Sequence, residues 1–136
     1  MKYSVFISHG WHDKWIAKQM ARLIAEAGGE PFIDIFDVRI GDRIEERVRE
    51  GTRDCDELIA LLTPWSVDRN WVWTEIAAAW AHGKRFAGIA YGVTPEAIEK
   101  NHGGLACLGP TNIVALDEFE HYISQLSERI QSEAKR

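Results

Sequence analysis

Two rhythms of apolar positions take turns along the chain. Residues 3–8 (Tyr3-Ser4-Val5-Phe6-Ile7-Ser8) form a short, β-branched and aromatic run that is apolar nearly throughout, as a parallel strand covered on both faces must be. Ile16, Met20, Leu23, Ile24 and Ala27 then recur at helical spacing, and Gly28-Gly29 supplies the residues that accept a left-handed helix end. Asp13 stands where it would cap this helix. Residues 31–36 read as a second strand, residues 37–42 as a polar loop, and Ile44, Val48 and Cys55 as one face of an amphipathic helix. A third strand covers 57–62. Its polar exit, 63–70, leads into a helix over 71–82 with Val72, Ile76, Ala79 and Trp80 toward the core and Gly83 closing it. Residues 86–90 and 112–116 give strands four and five, and Phe119, Tyr122, Ile123, Leu126 and Ile130 mark a last helix. Between those strands, 91–110 predicts an irregular connection or one short helix, with weak helical signal at 95–100.

Strand and helix in alternation predict one α/β domain over residues 1–136: a doubly wound five-stranded parallel sheet with right-handed crossovers and helices on both faces. At this length the flavodoxin-like order 2-1-3-4-5 is favoured. Ligands of such sheets bind beyond the carboxyl ends of strands one and three, where the winding direction reverses. That places attention on Ser8, His9 and Gly10 and on residues 63–75.

Composition narrows the chemistry. With 46% apolar and 27% charged residues the chain has the profile of an ordinary globular protein, which excludes disordered, collagenous and coiled-coil classes. A formal charge of −5 leaves no excess of cations for nucleic acid or acidic lipid, so neither is expected as a partner. No apolar stretch approaches the ~20 residues of a membrane span, and a cytoplasmic location is expected. Cys55 and Cys107 lack metal-ligand spacing and read as reduced structural thiols. No GxGxxG follows the first strand, and neither a GxxxxGK[ST] loop nor a GxSxG elbow occurs. His9-Gly10-Trp11-His12-Asp13 is the one metal-like cluster, but two histidines and one carboxylate in a loop read better as a polar turn, and no metal is expected.

Trp71 and Glu75, four residues apart, share a helix face near the end that points at the predicted cleft. A helix amino terminus favours an anionic carboxylate. Beside an aromatic surface, such a group suits a ligand that develops positive charge, as a ribosyl centre does when its glycosidic bond breaks. Spacing alone carries this little further, because a helix glutamate is ordinarily solvated and a tryptophan ordinarily packs.

These stretches in order resemble the successive boxes of a bacterial-type Toll/interleukin-1 receptor (TIR) domain. They are Val5-Phe6-Ile7-Ser8-His9; Pro31-Phe32-Ile33-Asp34 with the loop Asp37, Val38, Arg39, Ile40, Gly41 and Asp42; Leu61-Leu62-Thr63-Pro64-Trp65-Ser66; and Trp71-Val72-Trp73-Thr74-Glu75. The match runs from residue 3 to about 91. The resemblance implies the flavodoxin-like fold already reached, and an activity: cleavage of NAD+ between nicotinamide and ribose, giving ADP-ribose or a cyclic ADP-ribose isomer. NAD+ is then substrate, with no cofactor. By the same resemblance Glu75 is the catalytic carboxylate, and Trp71, Ser66, Ser8, His9 and Gly10 line the nucleotide pocket. Arg43 stands where enzymatic members often carry an aromatic, making it the corresponding substrate-binding position, and Ile40 replaces a common proline. Trp65, Trp11 and Tyr91 are the aromatics that could stack on the base instead.

The resemblance also implies homo-oligomeric TIR–TIR assembly on activation, a separate sensor or effector protein as partner, and a role in antiphage defence or signalling. A different class of function is a non-catalytic interaction module working through residues 37–42, whose mixed charges around Val38 and Ile40 suit a small contact. A third is a nucleoside deoxyribosyltransferase-like or flavodoxin-like enzyme, since fold does not fix function.

Overall fold

The structure is a computed structural model and describes residues 3–33, 54–67, 70–102 and 113–134. Strands β1 (Ser4–Ser8), β2 (Glu30–Phe32), β3 (Glu57–Leu62), β4 (Arg85–Ala90) and β5 (Ile113–Ala115) form one parallel sheet in the order β2-β1-β3-β4-β5. This is the flavodoxin-like order expected from the alternation. Among the described residues, the helices are α1 (Lys14–Glu26), α2 (Asn70–Ala81), α3 (Pro95–His102) and α4 (Phe119–Ala134). The expected helix containing Ile44 and Val48, the residues 34–36 of the second strand, and Cys107 lie outside the described residues.

Alternation of side chains along the central strands divides the core into two layers. Val5, Ile7, Ile59, Leu61 and Ile89 pack against Ala17, Met20 and Ile24 of α1 and Phe119, Tyr122 and Leu126 of α4. Phe6, Leu58, Ala60, Leu62 and Ala90 pack on the other side against Val72, Ile76 and Ala79 of α2 and Ile98 of α3. Both faces of β1 and β3 are thereby covered, which is why their sequences show no polar alternation. Gly28 (φ +98°) and Gly83 (φ +69°) end α1 and α2 in the left-handed region, as their positions predict. In the weakly patterned stretch after β4 a short helix forms: the Thr94 hydroxyl accepts the Ala97 N–H at 3.1 Å, and Pro95 fits a first helical position.

Two expectations are corrected. Trp80 is 61% exposed, because the buried stripe of α2 is completed by Val72, Glu75, Ile76 and Ala79, leaving the indole beyond its edge. Asp13 does not cap α1 through its side chain; a 3-10 turn over Trp11–Asp13 leads into the helix and frees the carboxylate for another partner.

At the amino end of the sheet, Glu57 is a charged residue at 1% exposure. Its carboxylate accepts the Tyr3 hydroxyl at 2.7 Å, the Tyr122 hydroxyl, and a bidentate Arg129 guanidinium with both N···O distances 2.9 Å. Burying a carboxylate is tolerable only when its oxygens are so occupied. The cluster ties β3 to α4 across a wide sequence separation, and the strand pattern gave no sign of it.

Candidate active site

The carboxyl ends of β1 and β3 lie side by side, with Ser8 in register with Ala60. The loops leaving them are clasped together. Thr63 donates its hydroxyl to Asp13 Oδ2 at 2.6 Å and accepts the Ser66 and Trp65 N–H groups at 3.1 and 3.3 Å. Ser66 donates its hydroxyl to the Leu61 carbonyl at 2.7 Å and accepts the Thr63 N–H at 2.8 Å. Gly10 lies so near that a Cβ there would stand 3.3 Å from Ser66 Cβ. Asp13, Thr63 and Ser66 are all buried, so these neutral and charge-assisted bonds act without competition from bulk water.

Strand alternation gives Ser8 the same face as Phe6, the face covered by α2. Its hydroxyl is fully buried, with no hydrogen-bond partner among the described residues. His9 is also buried, with Nδ1 3.4 Å from the Ile7 carbonyl oxygen. Desolvation pushes its pKa below the ordinary histidine value, with Lys14 adding to that and the Ile7 carbonyl and Asp13 opposing it.

Glu75 is 0% exposed and occupies the sheet-facing stripe of α2 with Val72, Ile76 and Ala79. Because α2 begins just past the carboxyl end of β3, its sixth residue sits only about 8 Å along the axis from the helix start, toward the mouth end of the sheet. A buried glutamate on an otherwise apolar stripe is a position where a functional carboxylate is worth looking for.

Of the residues singled out from sequence, Ser8, His9, Gly10 and Ser66 thus lie together at the mouth, and Glu75 lies on the helix that packs on the adjoining sheet face. The Ser66 hydroxyl is spent inside its own turn. Trp71 occupies the first turn of α2; its side chain lies outside the described residues, as do Arg43 and the loop Asp37, Val38, Arg39, Ile40, Gly41 and Asp42. Cys55 is a buried thiol whose pKa burial pushes up to about 11, which suits a structural role.

Sequence reasoning missed Thr63 as the hub of the clasp; it named Trp11 and Trp65 as aromatics that could stack on a base but not His12, which lies between them in a row at the rim. Trp11 and His12 meet edge to face with ring centres 5.3 Å apart, and His12 lies 5.9 Å from Trp65 at a 45° tilt. All three rings are exposed, with Trp11 at 68% and Trp65 at 55%. The signal was one aromatic pair in the loop after the first strand and a tryptophan in the loop after the third.

Comparison with known proteins adds a family. A family model described as a TIR domain matches residues 5–128. The chain is 31% identical over 97 residues to a probable 2′ cyclic ADP-D-ribose synthase, BdTIR, of Brachypodium distachyon, covering 70% of this chain and 43% of that protein. It is 30% identical over 76 residues to the 2′ cyclic ADP-D-ribose synthase BtTIR of Bacteroides thetaiotaomicron, covering 55% and 26% respectively. The chain therefore spans less than half the length of these curated relatives. Among solved structures, the TIR domains of the activated Roq1 resistosome share the fold with a TM-score of 0.62 and 17% identity, over 78% of this chain and 68% of that one.

Proposed function

This chain belongs to the TIR domain family, and from that premise we propose that it cleaves NAD+ at the nicotinamide–ribose bond, with Glu75 as the catalytic carboxylate. The observation that carries the reading is the place of Glu75: a wholly buried acid on the stripe of α2 that faces the sheet, four residues after Trp71. Nicotinamide leaves as a neutral molecule from a cationic glycoside, so no general acid is needed. What remains is to position the ribose and to stabilise its oxocarbenium-like transition state, work suited to one desolvated carboxylate near hydroxyl and backbone donors. Glu75 accepts hydrogen bonds from the ribose hydroxyls and stabilises the positive charge as the C1′–N bond lengthens. Ser8 and the loop through His9 and Gly10 line the approach.

The cation is quenched either by water, which yields ADP-ribose and releases a proton, or by a nucleophilic atom of the same molecule, which yields a cyclic product. Two relatives named as 2′ cyclic ADP-D-ribose synthases favour the cyclising outcome. The Roq1 TIR domains belong to a resistosome, and this supports TIR–TIR assembly as the active form here, with residues 37–42 as a contact and a separate sensor as the trigger. In such an assembly NAD+ depletion or a nucleotide signal serves defence.

The test is NAD+ turnover by concentrated or artificially clustered protein, with products separated by chromatography. Glu75→Gln is expected to lower turnover by about 10²-fold or more, as loss of one transition-state stabiliser commonly does, with an unchanged thermal midpoint. A variant as active as the parent would remove Glu75 from the mechanism. Silence of the parent in every clustered form would leave the domain a scaffold.

A further inference from the structure

We propose that Trp11, His12 and Trp65 form a stacking platform for the adenine of NAD+, an inference that rests on the function proposed above and assigns the end of the substrate remote from the broken bond. NAD+ carries two ring systems. The nicotinamide must sit by Glu75 for its bond to break, so the adenine has to rest elsewhere, and binding energy from that remote half is what holds the reacting ribose in place. The aromatic row supplies such a place at the correct end of the sheet. Trp11 and His12 come from the loop after β1, Trp65 from the loop after β3, and the row therefore spans the mouth between the two strands.

Three features favour a base as the occupant. Tryptophan is ordinarily well buried, yet two indoles here lie exposed on either side of the His12 imidazole that each of them meets, and contiguous exposed apolar surface marks a binding site. The platform also rests on a rigid foundation: Asp13, next to His12, is bonded to Thr63, two residues before Trp65, and Gly10 packs against Ser66. Loops held in advance lose little freedom when a ligand arrives. Finally, aromatic faces take purines by stacking without needing hydrogen-bond readout, and no cationic patch is required. Tyr91, the other exposed aromatic considered for this task, follows β4, one strand beyond the β1–β3 mouth, with its N–H bonded to the Leu62 carbonyl.

The platform is tested by binding, so that its fate separates from that of the cleavage reaction. ADP-ribose, which has the adenine but no nicotinamide, is titrated calorimetrically into the parent, Trp11→Ala, Trp65→Ala and the conservative Trp11→Phe and Trp65→Phe variants. Nicotinamide mononucleotide, which lacks the adenine, is titrated into the same set carrying Glu75→Gln. Loss of one base–aromatic contact is expected to weaken ADP-ribose by about tenfold or more, with most of the affinity restored by phenylalanine and mononucleotide affinity unchanged. Both indoles are exposed, so thermal midpoints should hold. Unchanged ADP-ribose affinity in both alanine variants overturns the platform, as does an equal loss of mononucleotide affinity or a loss confined to self-association. If the parent cleaves no NAD+ while ADP-ribose binding still depends on the two tryptophans, the platform stands and the cleavage proposal falls.

Discussion

His9 shows how a single buried group makes stability answer to pH. Burial is the main reason its pKa lies below the ordinary value of 6.5. In the unfolded chain the imidazole takes up a proton as pH falls through 6.5, whereas the folded protein resists protonation until lower pH. The unfolded state then binds more protons, so folding stability declines as pH drops from 6.5 toward the folded pKa, and above 6.5 His9 contributes no pH dependence. Urea unfolding of the parent and of His9→Gln across this range should show a steeper acid decline in the parent. Parallel curves would mean that the imidazole titrates alike in both states. The same desolvation favours the neutral ring, so that it brings no fixed positive charge to the mouth between β1 and β3.

Between elements, the clasp joining the start of α1 to the loop before α2 sets the shape of the mouth. Thr63→Val removes the hydroxyl that Asp13 Oδ2 accepts and that receives two backbone N–H groups, while keeping the side-chain volume. Because Asp13 is 2% exposed, its oxygen cannot turn to bulk water, and a loss of about 1–3 kcal/mol is expected in chemical denaturation, with weaker ADP-ribose binding as the loops separate. Full retention of both would show that Gly10 and Ser66 hold the loops without it. The clasp also marks the limit of what the sequence discloses. Strands such as residues 57–62 were legible because burial on both faces leaves an unbroken apolar run, and α1 and α4 because burial on one face leaves a helical stripe. Long-range polar partnership has no such period: Asp13 looked like a cap, and nothing at Glu57 announced Tyr122 or Arg129. Glu75 was reached through its spacing from Trp71 and the family resemblance, while its complete burial emerged only from the packing of α2 on the sheet.

Across the whole molecule, the proposed function gives the two ends of one sheet different tasks. At the amino end, Glu57 gathers Tyr3, Tyr122 and Arg129 into a buried ionic cluster that joins β3 to α4. Toward the carboxyl end, the polar side chains of Ser8, His9 and Glu75 are buried. This division predicts separable defects. Glu57→Ala leaves the Arg129 guanidinium without its carboxylate and two tyrosine hydroxyls without their acceptor, and should cost about 3–5 kcal/mol, a large share of the ~5–15 kcal/mol that holds a domain folded. Unfolding in urea measures that loss. NAD+ turnover, assayed at low temperature and divided by the folded fraction, should stay within about twofold of the parent, since ΔΔG values at distant sites without shared partners usually add. Glu75→Gln should show the converse, a normal midpoint with turnover lost. If Glu57→Ala also abolishes turnover per folded molecule, the two ends are coupled through β3, and the clasp at Thr63, directly beyond the end of that strand, is the first place to look for the strain.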